Sequence, residues 1–411
     1  MRVLISIILA LTIVSYLFTA FLFLGLSFFT YQVSLLSLTL LFLAFNYKSI
    51  INLKLLSIIN NKLSFQELSI LLATVLIFVL LFFNNTLRWG KWDAWAIWSL
   101  RSKFMIANSN FFNLFVDEIA WIHTDYPLML PSLIASVWKS FSNTNPLIPV
   151  YVALIIVLLV LLLLFSAFLQ KKSKRIFAFL ILIVAGGTIN LDLYGSYQYA
   201  DTLLSLFFLV PIVLYSLSRS NLNISLCILI GFFAASTTWV KNEGIAFFII
   251  FTILFIINEI KHKKNIIYFI IGATMPLLFL IYFKIAYAPA NDLVDGTNAE
   301  SLSKLVDWDR YVLVFDYLIN FTLQKFPFAF LLMIVAILVD YKYCKTIGFQ
   351  AIIALFSTYF IIYILTPLGL EWHLKTSIDR LFHQTSPLIL FSIFYYFASN
   401  YNLDIIKKIK Y

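Results

Sequence analysis

The chain has 411 residues, 62% of them hydrophobic and 12% charged, with a formal net charge of +10. A water-soluble domain carries roughly a quarter charged residues, so a soluble fold is excluded. The basic balance does not signal nucleic acid, because the positive residues sit in short connections between apolar runs, where they orient a membrane protein. Cys227 and Cys344 are far apart and lack a CxxC spacing, so neither a disulfide framework nor a zinc site is expected.

After Met1-Arg2 the chain is apolar from Val3 to about Phe29. That stretch is too long for the apolar core of a signal peptide and lacks an A-x-A cleavage site, so it reads as a retained first span. Further apolar runs fall at 33–45, 68–83, 146–169, 176–193, 202–217, 222–240, 245–258, 266–286, 326–339, 347–366 and 387–398. The runs are continuous, not alternating, which selects helices. The expected fold is an all-α integral membrane protein, a single polytopic unit over 1–411, with about 12 transmembrane helices (11–13). Both termini are expected in the cytoplasm.

Letting each run cross once puts 17 of the 29 Lys+Arg on the cytoplasmic side, among them Lys171-Lys172-Ser173-Lys174-Arg175, Arg219 and Lys342/Lys345. On the same assignment 15 of the 19 Asp+Glu fall outside. The Lys/Arg excess is the orienting signal. The acidic excess raises the question of what fifteen carboxylates do on one face. The long polar stretches also fall outside: 84–145, 289–325 and 368–386.

The first of these stretches begins Arg88-Trp89-Gly90-Lys91-Trp92-Asp93 and continues to Arg101. From Trp92 it reads as an amphipathic helix at the membrane interface, with Trp92, Trp95 and Trp98 on one face and Asp93, Ile97 and Arg101 on another. Asp93, stripped of part of its water among indoles, suits a general base acting on a hydroxyl; pairing with Arg101 or Lys91 is the plainer alternative. The stretch continues His123-Thr124-Asp125-Tyr126-Pro127 and enters an expected second interfacial helix, with Pro127 near its first turn. His123 and Asp125 are candidates to position a substrate, and Arg101, Tyr126 and Trp95 join the candidate binding residues.

Asp201 lies where one apolar run hands over to the next, and Lys241-Asn242-Glu243-Gly244 forms a tight turn on the same face. Ionisable groups this near the apolar zone mark functional sites by default, although Lys241 and Glu243 can also neutralise each other. Arg380 is suited to clamp a phosphate through its forked donors. His123, His373 and His383 all fall outside among carboxylates, but no ligand spacing supports a metal, and no cofactor is expected.

Five blocks of sequence resemble bacterial multi-pass glycosyltransferases of the GT-C superfamily. W-D-A-W-A-I-W-S-L-R-S-K (92–103) resembles their first-loop signature, and H-T-D-Y-P-L-M-L-P (123–131) the block that follows it. Y-A-D-T-L-L-S-L-F-F (199–208), W-V-K-N-E-G-I-A-F-F (239–248) and R-L-F-H-Q-T-S-P-L-I-L-F (380–391) resemble later blocks. The group includes the protein O-mannosyltransferases, aminoarabinose transferases and rhizobial lipopolysaccharide glycosyltransferases. The resemblance implies a polyprenyl-phosphate sugar donor, inversion at the anomeric carbon, and an acidic base on the external face of a bacterial cytoplasmic membrane. The acceptor would be a glycan, lipid or protein hydroxyl. It assigns Asp93 as the base, with Asp125 in reserve, and Asp201 as a second acidic residue. Lys241, Glu243 and Arg380 would line the donor site. The chain departs from the group in that Asp93 lacks an acidic neighbour and follows the third run instead of the first.

Two other functions compete. A transporter or lipid-carrier flippase would place its ionisable groups near mid-membrane, in related halves, whereas these cluster at one face. An O-antigen ligase or polymerase would concentrate catalytic Arg and His in one late external loop, a composition that 368–386 has over a short length.

Overall fold

The computed structural model describes residues 1–52, 63–169, 175–289 and 303–400, and among these it is helical without any strand. The Lys171–Lys174 cluster and the end of the chain beyond Asn400 lie outside the described residues. In chain order the helices are α1 (Arg2–Phe23), α2 (Phe28–Asn52), α3 (Phe65–Asn85), α4 (Leu100–Ile106) and α5 (Met129–Ser140). There follow α6 (Leu147–Phe168), α7 (Arg175–Thr188), α8 (Leu191–Ser196), α9 (Ala200–Ser218), α10 (Ile224–Ser236) and α11 (Glu243–Glu259). The last are α12 (Lys263–Ala286), α13 (Trp308–Lys325), α14 (Pro327–Val339), α15 (Ile347–Leu365) and α16 (Leu370–Asn400).

The apolar runs fall on these helices, because a segment without water must close its hydrogen bonds within itself, but 176–193 is divided between α7 and α8 at Asn190, whose backbone is left-handed with φ 45°. Six of the helices, α1, α3, α6, α9, α12 and α15, are long and apolar enough to cross a membrane. Counting α13 and α14 as one span, bent by 101° at Phe326-Pro327, makes a seventh. The bundle turns its apolar side chains both ways. α9 is buried from Ala200 to Tyr215 and forms the centre. α3 exposes Leu72, Leu76, Ile77 and Leu80 on its outer face, a distribution suited to lipid, not water.

Ion pairs and hydrogen bonds tie the helices together at both ends of the bundle. At one end Arg175 pairs with Glu67 across α7 and α3, and Tyr215 of α9 donates to Glu259 at the close of α11. At the other end, Lys284 late in α12 reaches the Asp125 carbonyl, and Lys241 before α11 reaches Asp201 at the start of α9.

Three expectations need correction. Trp92, Trp95 and Trp98 do not share a face: Ala94–Ser99 is a π-helical turn, wider than an α-turn, so the three-residue spacing no longer lines side chains up. Trp98 points inward with Ile97 and Arg101, while Trp92 and Trp95 face out. The segment after Pro127 is not an interfacial helix either. α5 is buried on nearly every side, and its first turn carries Pro131. Finally, 368–386 is no loop. It forms the first half of α16, which runs through Pro387 without ending, since a buried helix tolerates proline where neighbours re-satisfy its backbone.

The stretch 289–325 also holds a helix among its described residues. α13 exposes Trp308, Val312, Phe315, Ile319 and Leu323. That spacing of three and four residues makes one apolar stripe, the pattern that the first loop was expected to supply.

Candidate active site

Two short loops clasp each other to carry Asp93 into the bundle. Gly90 has a φ of +71°, and a Cβ there would sit 2.7 Å from the Tyr197 carbonyl oxygen, so only glycine allows the approach. The Lys91 amide donates to that carbonyl at 3.3 Å, and its ammonium lies 3.5 Å from the Tyr197 ring centre. From the other loop, the Gln198 side chain donates to the Leu87 carbonyl at 2.8 Å. Asp93 then opens the π-helical turn with its carboxylate facing α16, where Arg380 donates to it. The Asp93 side chain keeps 19% of its exposure, so the pair sits at the mouth of the site. The Arg380 guanidinium also lies 5.9 Å from the Tyr199 ring.

Behind this pair lies a second, deeper one. Lys241 donates to Asp201 at 3.0 Å and contacts Glu243 at 2.7 Å. The Asp201 and Lys241 side chains are 3% and 2% exposed, so each charge depends on the other. Gln384, one turn after Arg380, donates to the same Asp201 oxygen that Lys241 holds. The turn carrying Lys241 is fixed by the Thr237 hydroxyl, which donates to the Gly244 carbonyl at 2.8 Å. Burial opposes the charge on Lys241, but Asp201 and Glu243 more than offset this and hold its pKa above the ordinary value. Arg380 follows the same pattern: burial opposes its charge, and Asp201 and Asp93 outweigh it.

The 123–127 segment forms the third wall. Arg101 is completely buried and donates to the backbone carbonyls of Tyr126 and Pro127. Burial lowers its pKa to about 9, which leaves it charged at neutral pH. Two of its nitrogens are spent on the backbone while its Nε has no partner among the described residues, and its complete burial sets it behind the site rather than at its mouth. Tyr126 is sandwiched between His123 and Trp98, at 5.0 and 5.9 Å between ring centres, with the Lys241 ammonium 5.7 Å from its own. His123 holds a left-handed backbone, φ 54°, to reach that stack. Asp125 accepts from Asn242 at 2.7 Å and lies 3.9 Å from Lys284.

The structure therefore brings Asp93, Asp125, Asp201, Lys241, Glu243, Arg380, Arg101, His123 and Tyr126 into one cluster. It leaves out Trp95, which stacks edge-on against Trp92 on the surface at 4.7 Å. Asp93 pairs with neither Arg101 nor Lys91, the partners the sequence offered, but with Arg380. Asp201 is too deeply enclosed to meet an incoming hydroxyl and holds the cations in place instead. Asn242, Lys284, Gln384 and Tyr199 belong to the cluster but were not singled out from the sequence. His373 bonds Thr366 and His383 bonds Thr202, and no three metal-ligating side chains come together among the described residues.

Fold and site thus describe a helical membrane protein with a walled ionic cluster at one end of its bundle. Compared with known proteins, the chain matches no family model, no curated relative and no solved structure, so its chemistry must be argued from the cluster itself.

Proposed function

We propose that this protein is a membrane glycosyltransferase that moves a sugar from a polyprenyl-phosphate donor to a hydroxyl on the external face. The observation that carries the reading is the two-layer ionic cluster. A partly exposed carboxylate, Asp93, sits on a guanidinium, Arg380, and a buried ammonium, Lys241, is held nearby between Asp201 and Glu243. A lipid-linked donor needs cations for a phosphate at the membrane boundary and a base beside them, and the cluster has both.

In this reading the acceptor oxygen attacks the anomeric carbon from the face opposite the phosphate. The bond from that carbon to the phosphate oxygen breaks, and configuration inverts. Asp93 takes the hydroxyl proton, and the electron pair leaves on the polyprenyl phosphate, whose charge Arg380 and Lys241 stabilise. Arriving phosphate competes with Asp93 for Arg380, so donor binding frees the base it requires. The buried Arg380 Nε and Glu243 Oε2 have no partner among the described residues, which leaves hydrogen-bonding capacity for a ligand.

Two features support an external, carbohydrate-facing site. A cavity of about 570 Å³ is lined by Tyr194, Tyr197, Asp316, Asn320, Gln324 and Asp379, the residue before Arg380; amides, carboxylates and phenols suit sugar hydroxyls. The second is the Lys/Arg excess, which supports a topology of twelve crossings with both termini cytoplasmic, in which the span of α16 begins at Pro387 and the cluster faces outside. α13 then lies along the external interface on its apolar stripe.

The test is the glycan and lipid-linked-sugar profile of cells lacking the protein. Loss of one sugar from an envelope glycan, with its polyprenyl-phosphate donor accumulating, is the expected result. An unchanged profile of both would contradict the proposal.

A further inference from the structure

At the other end of the bundle is a cavity of about 780 Å³ that the transfer reaction does not use. Asp201 and Arg219 bracket α9, so at 1.5 Å per residue this cavity lies about 27 Å from the ionic cluster. That distance is close to the roughly 30 Å hydrocarbon thickness of a bilayer. Arg219, Lys342 and Lys345 stand around its mouth. Among the described residues neither lysine ammonium meets a hydrogen-bond acceptor, and Lys345 only approaches the Tyr341 ring, at 5.5 Å. Arg219 spends one donor on Asn258, at 3.0 Å. The nearest carboxylates are occupied: Asp340 accepts from Tyr396 and the Lys342 amide, and Glu259 from Tyr215 and Asn265.

The floor of the cavity is the N-terminus of α15. Thr346 caps the Phe349 amide and its carbonyl takes the Gln350 amide, which leaves the Ile347 and Gly348 amides open. An open helix start of 19 residues favours an anion through both its N–H groups and its dipole. A second feature points the same way. Ser392 lines the cavity, is 4% exposed, and its hydroxyl approaches that of Tyr343 without closing a hydrogen bond. Gly348 brings the helix start against it, since a Cβ there would lie 2.7 Å from the Ser392 oxygen. Above this polar floor the walls combine apolar side chains, Phe168, Ile212 and Phe391, with Tyr215, Ser216 and Tyr395.

We infer that this cavity is a binding site for a phosphate anion, with the apolar side chains of its walls taking the body of an anionic phospholipid whose headgroup supplies it. The headgroup phosphate would sit on the Ile347 and Gly348 amides and the Ser392 hydroxyl, beneath the three cations. Basic pockets between membrane helices hold anionic headgroups in this way. The inference is independent of the transfer reaction proposed for the opposite end.

The test uses the full chain, purified and reconstituted in nanodiscs of phosphatidylcholine with added phosphatidylglycerol, with retained lipid counted by native mass spectrometry after detergent exchange. Wild type should retain phosphatidylglycerol over phosphatidylcholine. R219Q/K342Q/K345Q should lower that retention on the order of 100-fold, about fivefold for each cation. S392V, which keeps every charge, should lower it less but measurably. K261Q/K263Q/K264Q removes three lysines from the same end outside the cavity and should retain lipid as wild type does. Competition by inorganic phosphate at millimolar concentration would support the phosphate site with a soluble source; lack of competition supports the lipid. Equal retention in wild type and in the cavity triple variant, or equal loss in both triple variants, would overturn the inference.

Discussion

Arg380 on α16 donates to the carboxylate of Asp93, a residue 287 positions earlier in the chain. The contact joins the first long polar stretch to the last one and forms an ion pair at the mouth of the cluster. A guanidinium can hold a carboxylate and a phosphate through separate edges of one planar fork, which an ammonium cannot.

Arg380→Lys should therefore lower sugar transfer on the order of 100-fold, the cost of losing one positioned donor to developing charge. Steady-state kinetics in membranes should show the loss in both KM for the lipid-linked donor and kcat. An unchanged KM would separate Arg380 from the donor phosphate.

Lys241→Met should leave Asp201 and Glu243 as neighbouring carboxylates without the ammonium that bridges them. Breaking a buried pair in this way costs about 3–5 kcal/mol, visible as a lower unfolding midpoint in detergent. Adding Asp201→Asn should recover part of the loss, because it removes the stranded charge. A double variant no more stable than the single one would argue against that coupling.

The His383 imidazole bonds the Thr202 hydroxyl at 2.9 Å and stacks on Tyr194 at 4.7 Å. Burial lowers its pKa from 6.5 to about 4, opposed by the charge of Asp201. The folded state thus keeps His383 neutral where the unfolded chain takes up a proton. Stability is unaffected above pH 6.5 and falls as pH drops from 6.5 towards 4, by up to about 3 kcal/mol. Unfolding midpoints between pH 7.5 and 4.5 should show the decline, and His383→Gln should flatten it.

Much of this architecture can be read from the chain, and the parts that cannot share one cause. Hydropathy finds the long apolar helices, though not α13 or the first half of α16, because burial of apolar surface and closure of backbone bonds act on the same residues. It cannot see pairing. Gln384 is one helical turn after Arg380, and that spacing would have predicted a shared face had 368–386 been read as helix. Pro387 hid this by resembling a helix start. Lys284 falls inside the apolar run 266–286, and only the meeting of α12 with the 123–127 segment at Asp125 gives it a partner. Trp98 was placed on the wrong face because a π-turn changes the angular step and leaves no mark in composition. The stripe on α13 was legible as Trp308, Val312, Phe315, Ile319 and Leu323, but its interleaved Asp and Arg made the stretch look like a loop.

The proposed topology predicts that reporters inserted at Ser220, after α9, and at Gly369, before α16, fall on opposite sides of the membrane. The Ser220 reporter should be cytoplasmic. Both reporters on one side would invalidate the alternating crossings and the external placement of Asp93.

The most direct test of the account is transfer by Asp93→Asn, assayed in membranes with a polyprenyl-phosphate sugar donor. Asparagine keeps the size of the side chain and a hydrogen-bond acceptor for Arg380, but it cannot take a proton. The account predicts a variant that accumulates and unfolds like wild type while its transfer rate drops at least about 100-fold. A well-folded variant with near-wild-type transfer would contradict it.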